Sequence, residues 1–596
     1  MEYLVTGNEQ ISIPMINKEK RTIESITFLY MSLKGLIELK GKNNKPLIKP
    51  YFKINDKEDD NLKYVWKTES YFIPKLYVES ENIEIVMTIL CPIGERGFTI
   101  NFEVKNKKEY NKITVGLEGC LSDICHVANE SKVMNLRKNL FISGWNGTYC
   151  IDVFGFGPVF SFAPIFEANV NADMHNDDNV IHYDMNREFN LNEGQTENVT
   201  FYFGIGYEEV AACTSAKEMQ RKGYRKVLMD TVSWIEKRTL TIKDKKIDNI
   251  LNKNLLFNYF YATGKTIDTE EIVCVTSRSP RYYVSAAYWD RDSLLWSFPA
   301  ILIFDEDYAL EILKYVFTKQ IKNVGEHSRF IDGTLLEPGF ELDELCAPVI
   351  ALGKYIYKTK RYDLILKEPF SSGIEKILKK LETKKHFDKD LYESFLQPTD
   401  DMLKEPYITY CNVLVYCMFD IIADLNEKNK IENKIFNEKK EKVKNAIYKY
   451  CVIKKDNKEM FAWSVDLKGK YSLYDEPPGS LQLLPYYNFC SENDEIYQNT
   501  VNYIRNPKYK FSFSNSNINE IGCEHAPYPW ILSVGNSLLC RRKEHCKNIL
   551  EKLIMDNYIA CESVDPDTGI SKTGDAFATC AGFLAYGIYY AFGEDI

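Results

Sequence analysis

The chain has 596 residues, a net charge of −10 and a pI near 5.5, with 45% hydrophobic and 13% aromatic residues. It is too long for one hydrophobic core, so at least two domains are expected. An acidic chain without a basic block argues against nucleic acid or an anionic membrane as partner, and no apolar run reaches the ~18 residues of a membrane span.

Sixteen Cys and seven His contain no C-x-x-C pair and no H-x-x-x-H or H-E-x-x-H spacing, so a built-in zinc site is not expected. Cys274, Cys346, Cys411, Cys417 and Cys580 stand among apolar neighbours, which predicts buried free thiols. The first fifteen residues lack the basic and apolar regions of a leader peptide. Together these features predict a cytoplasmic setting.

Residues 1–207 read as an antiparallel β-sandwich. Ile83–Ile89, Phe98–Val104 and Val199–Phe203 are β-branched or aromatic runs separated by Asn, Gly, Lys and Asp clusters. The pattern changes near Glu208, and residues 208–246 read as a linker helix region with a connecting helix over Glu208–Arg238. From Ile247 to the end the signal is helical, with predicted helices at Asp307–Phe317, Leu345–Tyr357, Cys411–Leu425 and Ala578–Phe592. Residues 247–596 have room for about a dozen helices of ordinary length, which six hairpins closing a ring would use. No fixed-period repeat supports a solenoid.

Six polar segments punctuate the helical part. Tyr288–Ser293 holds Trp289, Arg291 and Asp292 before an apolar helix. An aromatic beside a planar guanidinium and a carboxylate suits a sugar face and its vicinal hydroxyls, although Asp292 or Ser293 also suits a helix cap. Glu341 and Asp343 open the next apolar helix, where acidic residues also complement the helix dipole. In Phe395–Asp401, Asp400 and Asp401 follow a Pro. Two adjacent carboxyls cannot both ionise comfortably if buried, so one is expected to stay protonated as a general acid requires. Pro- and aromatic-rich loops at 475–486 and 522–530, the latter with His525 and Trp530, are candidate pocket walls. Glu562 lies in a last polar run, 560–569. Two carboxylates in separate turn-prone segments meet the need of inverting glycoside hydrolysis, in which one protonates the departing oxygen and the other activates water on the opposite face.

Taken in order, these strings resemble glycoside hydrolase family 125, the metal-independent exo-acting α-mannosidases. The likeness runs through Trp289 and Arg291-Asp292-Ser293, Glu341-Leu342-Asp343, Leu345-Cys346 and Pro348, Pro398-Thr399-Asp400-Asp401 and Asn412. It continues through Ser480-Leu481, Leu484-Pro485-Tyr486, Ile496–Thr500, Trp530, Ser533 and Glu562-Ser563, covering roughly 250–596. The resemblance implies an (α/α)6 barrel, inversion at the anomeric carbon, and no metal or organic cofactor. It places the general acid on the Asp400–Asp401 pair, with Asp400 favoured, and the general base on Glu562. Arg291, Asp292 and Asp343 would hold the terminal sugar, with Trp289, Glu341, His525 and Trp530 as further substrate-binding candidates. An oligosaccharide is the expected substrate. Gln397, Cys561 and Thr579 depart from the family pattern, standing where Arg, His and Trp are usual, and these changes bear on the identity of the sugar. The β region resembles the sandwich that precedes helical barrels in bacterial glucoamylases and related phosphorylases. An α-glucosidase of glucoamylase type, a glycoside phosphorylase and a non-catalytic carbohydrate-binding protein are therefore the alternative readings.

Overall fold

The computed structural model describes residues 2–42, 45–59, 61–167 and 169–593. Met1 and residues 594–596, the outer ends of the two domain ranges expected from the sequence, lie outside these. The chain forms two compact units, one comprising 1–239 with 263–272 and 278–286, the other 240–262, 273–277 and 287–596.

The first unit is antiparallel β-structure in three sheets of six, four and eight strands. The expected strands are present: Ile83–Leu90 pairs with Gly97–Asn106, which pairs in turn with Thr196–Gly206. Their register puts Met87 opposite Phe102 and Phe102 opposite Val199. Alternate side chains enter one apolar core shared by the sheets, including Phe28, Phe98, Phe102, Phe160 and Phe201, all buried. Phe98 stacks on Phe203 with centroids 4.6 Å apart, and Phe28 meets Phe160 edge to face at 5.1 Å.

The connecting helix expected over Glu208–Arg238 is two helices, α1 (Glu209–Lys222) and α2 (Tyr224–Glu236). Gly223 divides them at φ +82°, a conformation glycine adopts without penalty. The segments 263–272 and 278–286 return to this unit. Ile267 N–H bonds the Leu29 carbonyl at 2.9 Å, and Arg278 Nη1 donates to the Asn8 carbonyl at 2.7 Å.

The second unit is an (α/α)6 barrel. Its helices are α3 (Lys245–Tyr261), α4 (Phe298–Phe304), α5 (Glu306–Thr318), α6 (Leu342–Thr359), α7 (Phe370–Glu382), α8 (Thr409–Lys428), α9 (Lys434–Tyr450), α10 (Glu495–Ile504), α11 (Ile531–Leu539), α12 (Lys543–Leu550) and α13 (Ala578–Phe592). Helices α5, α7, α9, α10 and α12 carry one buried stripe each. Helices α6, α8, α11 and α13 are buried over most of their surface and form an inner layer with residues 291–304. Outer and inner helices alternate along the chain. Where a sixth inner helix is due, Pro477–Gly479 and Leu481–Leu483 form short 3₁₀ turns instead. Pro477-Pro478 removes two backbone donors there, which shortens any helix.

All sixteen cysteines are free thiols, with Cys417 half-buried and the other four named above buried. Among the described residues no helix is long and apolar enough to cross a membrane.

Candidate active site

Arg291 organises the centre of the barrel unit. It opens a π-helical turn, Arg291–Ser297, that runs directly into α4. Asp290 at the start of this turn makes no side-chain cap hydrogen bond, and neither Asp292 nor Ser293 serves as the helix cap that the sequence also allowed. Glu344, from the first turn of α6, performs that task from a distance. Its carboxylate accepts the backbone N–H of Arg291 at 3.0 Å and that of Asp290. Arg329 pairs with Asp290, whose other oxygen accepts from Tyr288 Oη at 2.6 Å.

The Arg291 guanidinium is buried, and a buried charge needs partners. Nη1 donates to Glu341 at 2.6 Å and Asp343 at 3.0 Å, while Nη2 donates to Asp400 Oδ1 at 2.6 Å. Asp292 lies 3.8 Å from Nε and accepts from Thr579 Oγ1 at 3.0 Å. Among the described residues Arg291 Nε and Asp343 Oδ1 have no hydrogen-bond partner. More carboxyls than cations crowd this cluster, and burial pushes Asp292 and Glu341 up to about 7 against the opposing pull of Arg291. Burial also holds Glu344 well above the ordinary carboxyl range.

His327, not singled out in the sequence, joins the cluster. Its Nδ1 sits 2.6 Å from Glu341 and 3.6 Å from Asp400, and Trp289 Nε1 approaches the same nitrogen at 3.4 Å. Burial pulls this imidazole down, but the Glu341 hydrogen bond and the Asp400 charge outweigh it and hold it above its ordinary value. His327, Glu341 and Asp400 offer donor atoms within 4.8 Å of one another, the makings of a cation site. The Arg291 guanidinium already contacts both carboxylates, so the charge a metal would supply there is in place.

Asp400 and Asp401 sit in a tight turn closed by Asp400 N–H to the Gln397 carbonyl at 2.8 Å and Gln397 N–H to the Asp401 carbonyl at 3.0 Å. Asp400 has φ +68°, which Asp tolerates better than most residues. The side chains are 38% and 47% exposed, so the condition under which two adjacent carboxyls resist joint ionisation, burial of both, is not met. The buried acid lies behind them. Asp401 Oδ2 accepts from Thr399 Oγ1 at 3.1 Å, and that hydroxyl also lies 2.8 Å from Glu476. Glu476 is fully buried, which raises its carboxyl well above the ordinary range. Nothing in the local sequence separates Glu476 from the neighbouring loop residues, since its role depends on contact with Thr399.

Asp401 lines an open cavity of about 580 Å³ with Gln397, Trp463, Tyr474, Glu405 and His525. His525 Nδ1 is 3.2 Å from Asp401, and its ring meets Trp530 at 6.1 Å. Trp530 is buried, and its indole N–H ties down its own loop at the Ala526 carbonyl, 2.9 Å away. Trp530 bridges to Ser563, and Ile531 N–H bonds the Glu562 carbonyl at 3.0 Å, so α11 anchors the Glu562 segment. Glu562 is 3% exposed.

The structure therefore joins Trp289, Arg291, Asp292, Glu341, Asp343 and Asp400 in one cluster. Asp401, His525 and Trp530 form a second row, and Glu562 follows on the loop tied to Trp530. Of the three departures, Thr579 touches Asp292 and Gln397 lines the cavity. Cys561 turns its thiol to the Ser563 carbonyl at 3.3 Å. Asn412 spans the Tyr392 and Ile408 backbone and has a structural task.

The fold, a β-sandwich unit and a six-hairpin barrel, is shared with solved glucoamylase and phosphorylase structures. Residues 386–585, about a third of the chain, match the family described as metal-independent alpha-mannosidase (GH125). A solved metal-independent alpha mannosidase from Streptococcus pneumoniae, in a non-productive complex with alpha-1,6-mannobiose, is 16% identical with TM-score 0.50, covering 62% of this chain and 97% of that one. A bacterial glucoamylase complexed with acarbose is 12% identical with TM-score 0.63, covering 100% and 95%. A putative kojibiose phosphorylase from the human microbiome is 12% identical with TM-score 0.59, covering 99% and 86%. At these identities the structural likeness concerns the fold. No protein of curated function matches the chain significantly.

Proposed function

We propose that the protein is an exo-acting, inverting glycoside hydrolase that removes a terminal α-linked sugar, with mannose as the sugar that the GH125 match favours. One observation carries the reading. Arg291 gathers Glu341, Asp343 and Asp400 around one buried guanidinium, the adjoining Asp401 opens on a cavity, and Glu562 arrives on a separate loop. In this reading Arg291, Asp292 and Asp343 hold the hydroxyls of the terminal sugar. A carboxyl of the Asp400–Asp401 pair protonates the glycosidic oxygen. Glu562 takes a proton from the attacking water, which inverts the anomeric carbon in one displacement.

The full-length likeness to a glucoamylase and a phosphorylase supports a second reading, glucose release or phosphorolysis on the same frame. Phosphorolysis needs an anion where the water would sit, and the Glu562 carboxylate repels one there.

Both readings are tested by incubating the protein with α-linked manno- and gluco-disaccharides, with and without chelator or phosphate, while proton NMR follows the released anomer. The expected product is β-mannose, formed without added phosphate and insensitive to chelator. Glu562→Gln should lower kcat on the order of a thousandfold. Wild-type turnover by that variant would remove Glu562 from the mechanism, and phosphate-dependent turnover would favour the phosphorylase.

A further inference from the structure

We propose that the cavity beside Asp401 is the leaving-group subsite and that it takes an amino sugar, a hexosamine whose ammonium group pairs with Glu405. The position of this subsite in the reaction rests on the hydrolase reading above. An acid must touch the glycosidic oxygen, so the space beyond the Asp400–Asp401 pair belongs to the departing group.

Glu405 is 9% exposed yet lines the cavity. One of its oxygens, Oε2, accepts from Ser464 Oγ at 2.9 Å and Ser472 Oγ at 2.6 Å. These serines stand on paired strands, Ser464 directly opposite Ser472, so the carboxylate is held by a rigid support. The other oxygen, Oε1, has no hydrogen-bond partner among the described residues. That oxygen reaches the cavity rather than the packed interior, so it is open to a donor or a cation. The rest of the wall points to a cation. Asp401, Glu405 and Glu524 line the cavity, with Lys404 as the lining's one lysine or arginine and His525 against Asp401 at 3.2 Å.

An ammonium group offers three donors and a full charge, and charge-assisted bonds are about twice as strong as neutral ones. A neutral hexose makes the same ring contacts without the ion pair. An N-acetylated sugar has lost the charge, and a phosphorylated one meets three carboxylates. Tyr474, edge to face with Trp463 at 6.0 Å, supplies an apolar side for the sugar ring.

The test is calorimetric titration of the whole protein at about pH 6, where an amine of ordinary pKa is charged, with glucosamine, glucose, N-acetylglucosamine and glucose 6-phosphate. Glucosamine should bind about tenfold tighter than glucose, the range of one charged hydrogen bond, and glucose 6-phosphate most weakly. Glu405→Gln should bring glucosamine to the level of glucose. The wild-type ligand series stands even if that variant folds poorly. Equal affinities for glucosamine and glucose, or tighter binding of the phosphate, would overturn the inference. Comparing kcat/KM for α-mannosyl-glucosamine and α-mannosyl-glucose separates it from the hydrolase reading. Equal turnover with equal affinities overturns the subsite and leaves the hydrolase. Selective glucosamine binding without hydrolysis of any glycoside supports the amine site and overturns the hydrolase.

Discussion

Arg291 is the residue on which the candidate site turns, and its partners come from 50, 52 and 109 positions further along the chain. The sequence displayed each of these acidic runs, but locally each fits a helix cap, a dipole or a surface turn equally well. Only the contact with one guanidinium joins them. The Asp400–Asp401 pair shows the same limit. Its two members are indistinguishable in sequence, yet one accepts from Arg291 and the other lines the cavity. Their roles separate by chemistry. A proton donor is dispensable when the leaving group is already acidic, so the Asn variant of the true acid should lose roughly 10²–10⁴-fold on a disaccharide and recover most of that loss on a nitrophenyl glycoside. The Asn variant of a sugar-binding carboxylate should lose on both substrates. If both variants are rescued equally, or neither is, the proton comes from elsewhere.

At the scale of elements, helical periodicity located α5, α6, α8 and α13 closely because their apolar stripes are long. It could not show which helices are inner, since burial on all sides depends on neighbours distant in sequence. The π-helical turn at Arg291 and the 3₁₀ turns at Pro477 were equally hidden. Helix α13 illustrates how closely the inner layer packs. A Cβ on Gly582 would stand 2.5 Å from Asn258 Nδ2 and 2.9 Å from Ser297 Cα. The Asn258 amide there donates to Ser297 Oγ at 2.7 Å and the Ala578 carbonyl at 3.0 Å, joining α3, the π-turn and α13. Gly582→Ala should therefore cost about 1–3 kcal/mol through overpacking, read as a lower melting temperature. An unchanged melting curve would show that the inner helices yield more readily than their spacing suggests.

At the scale of the whole molecule, buried carboxyls of opposite character make stability depend on pH. Asp292, Glu341 and Asp475 are raised to about 7 by burial, so the folded chain holds protons that the unfolded chain releases near pH 4. Their contribution is full below about pH 4 and declines as pH rises to 7. Glu520 is the reverse. Burial opposes its charge, but Arg505, His545 and Ser533 overcome that and bring it to about 2. Its contribution is full above about pH 4.5 and disappears as pH falls towards 2. Melting of wild type and Glu520→Gln should thus differ by about 3 kcal/mol at pH 7 and by clearly less at pH 3. A difference that does not change with pH would mean that the Arg505–Glu520–His545 group is not a charged network.

By itself the sequence determined the two-part architecture, the main strands and helices, and the residue types from which a sugar-cleaving site is built. Those follow from periodicity, turn chemistry and composition, which are local properties of the chain. The tertiary structure alone decided that Arg291, His327 and the carboxyls around them form one cluster, that Glu476 stands behind Thr399, and that Glu405 keeps an oxygen open to the cavity. Burial and charge pairing are properties of space, and residues far apart in sequence acquire them only when the barrel brings them together.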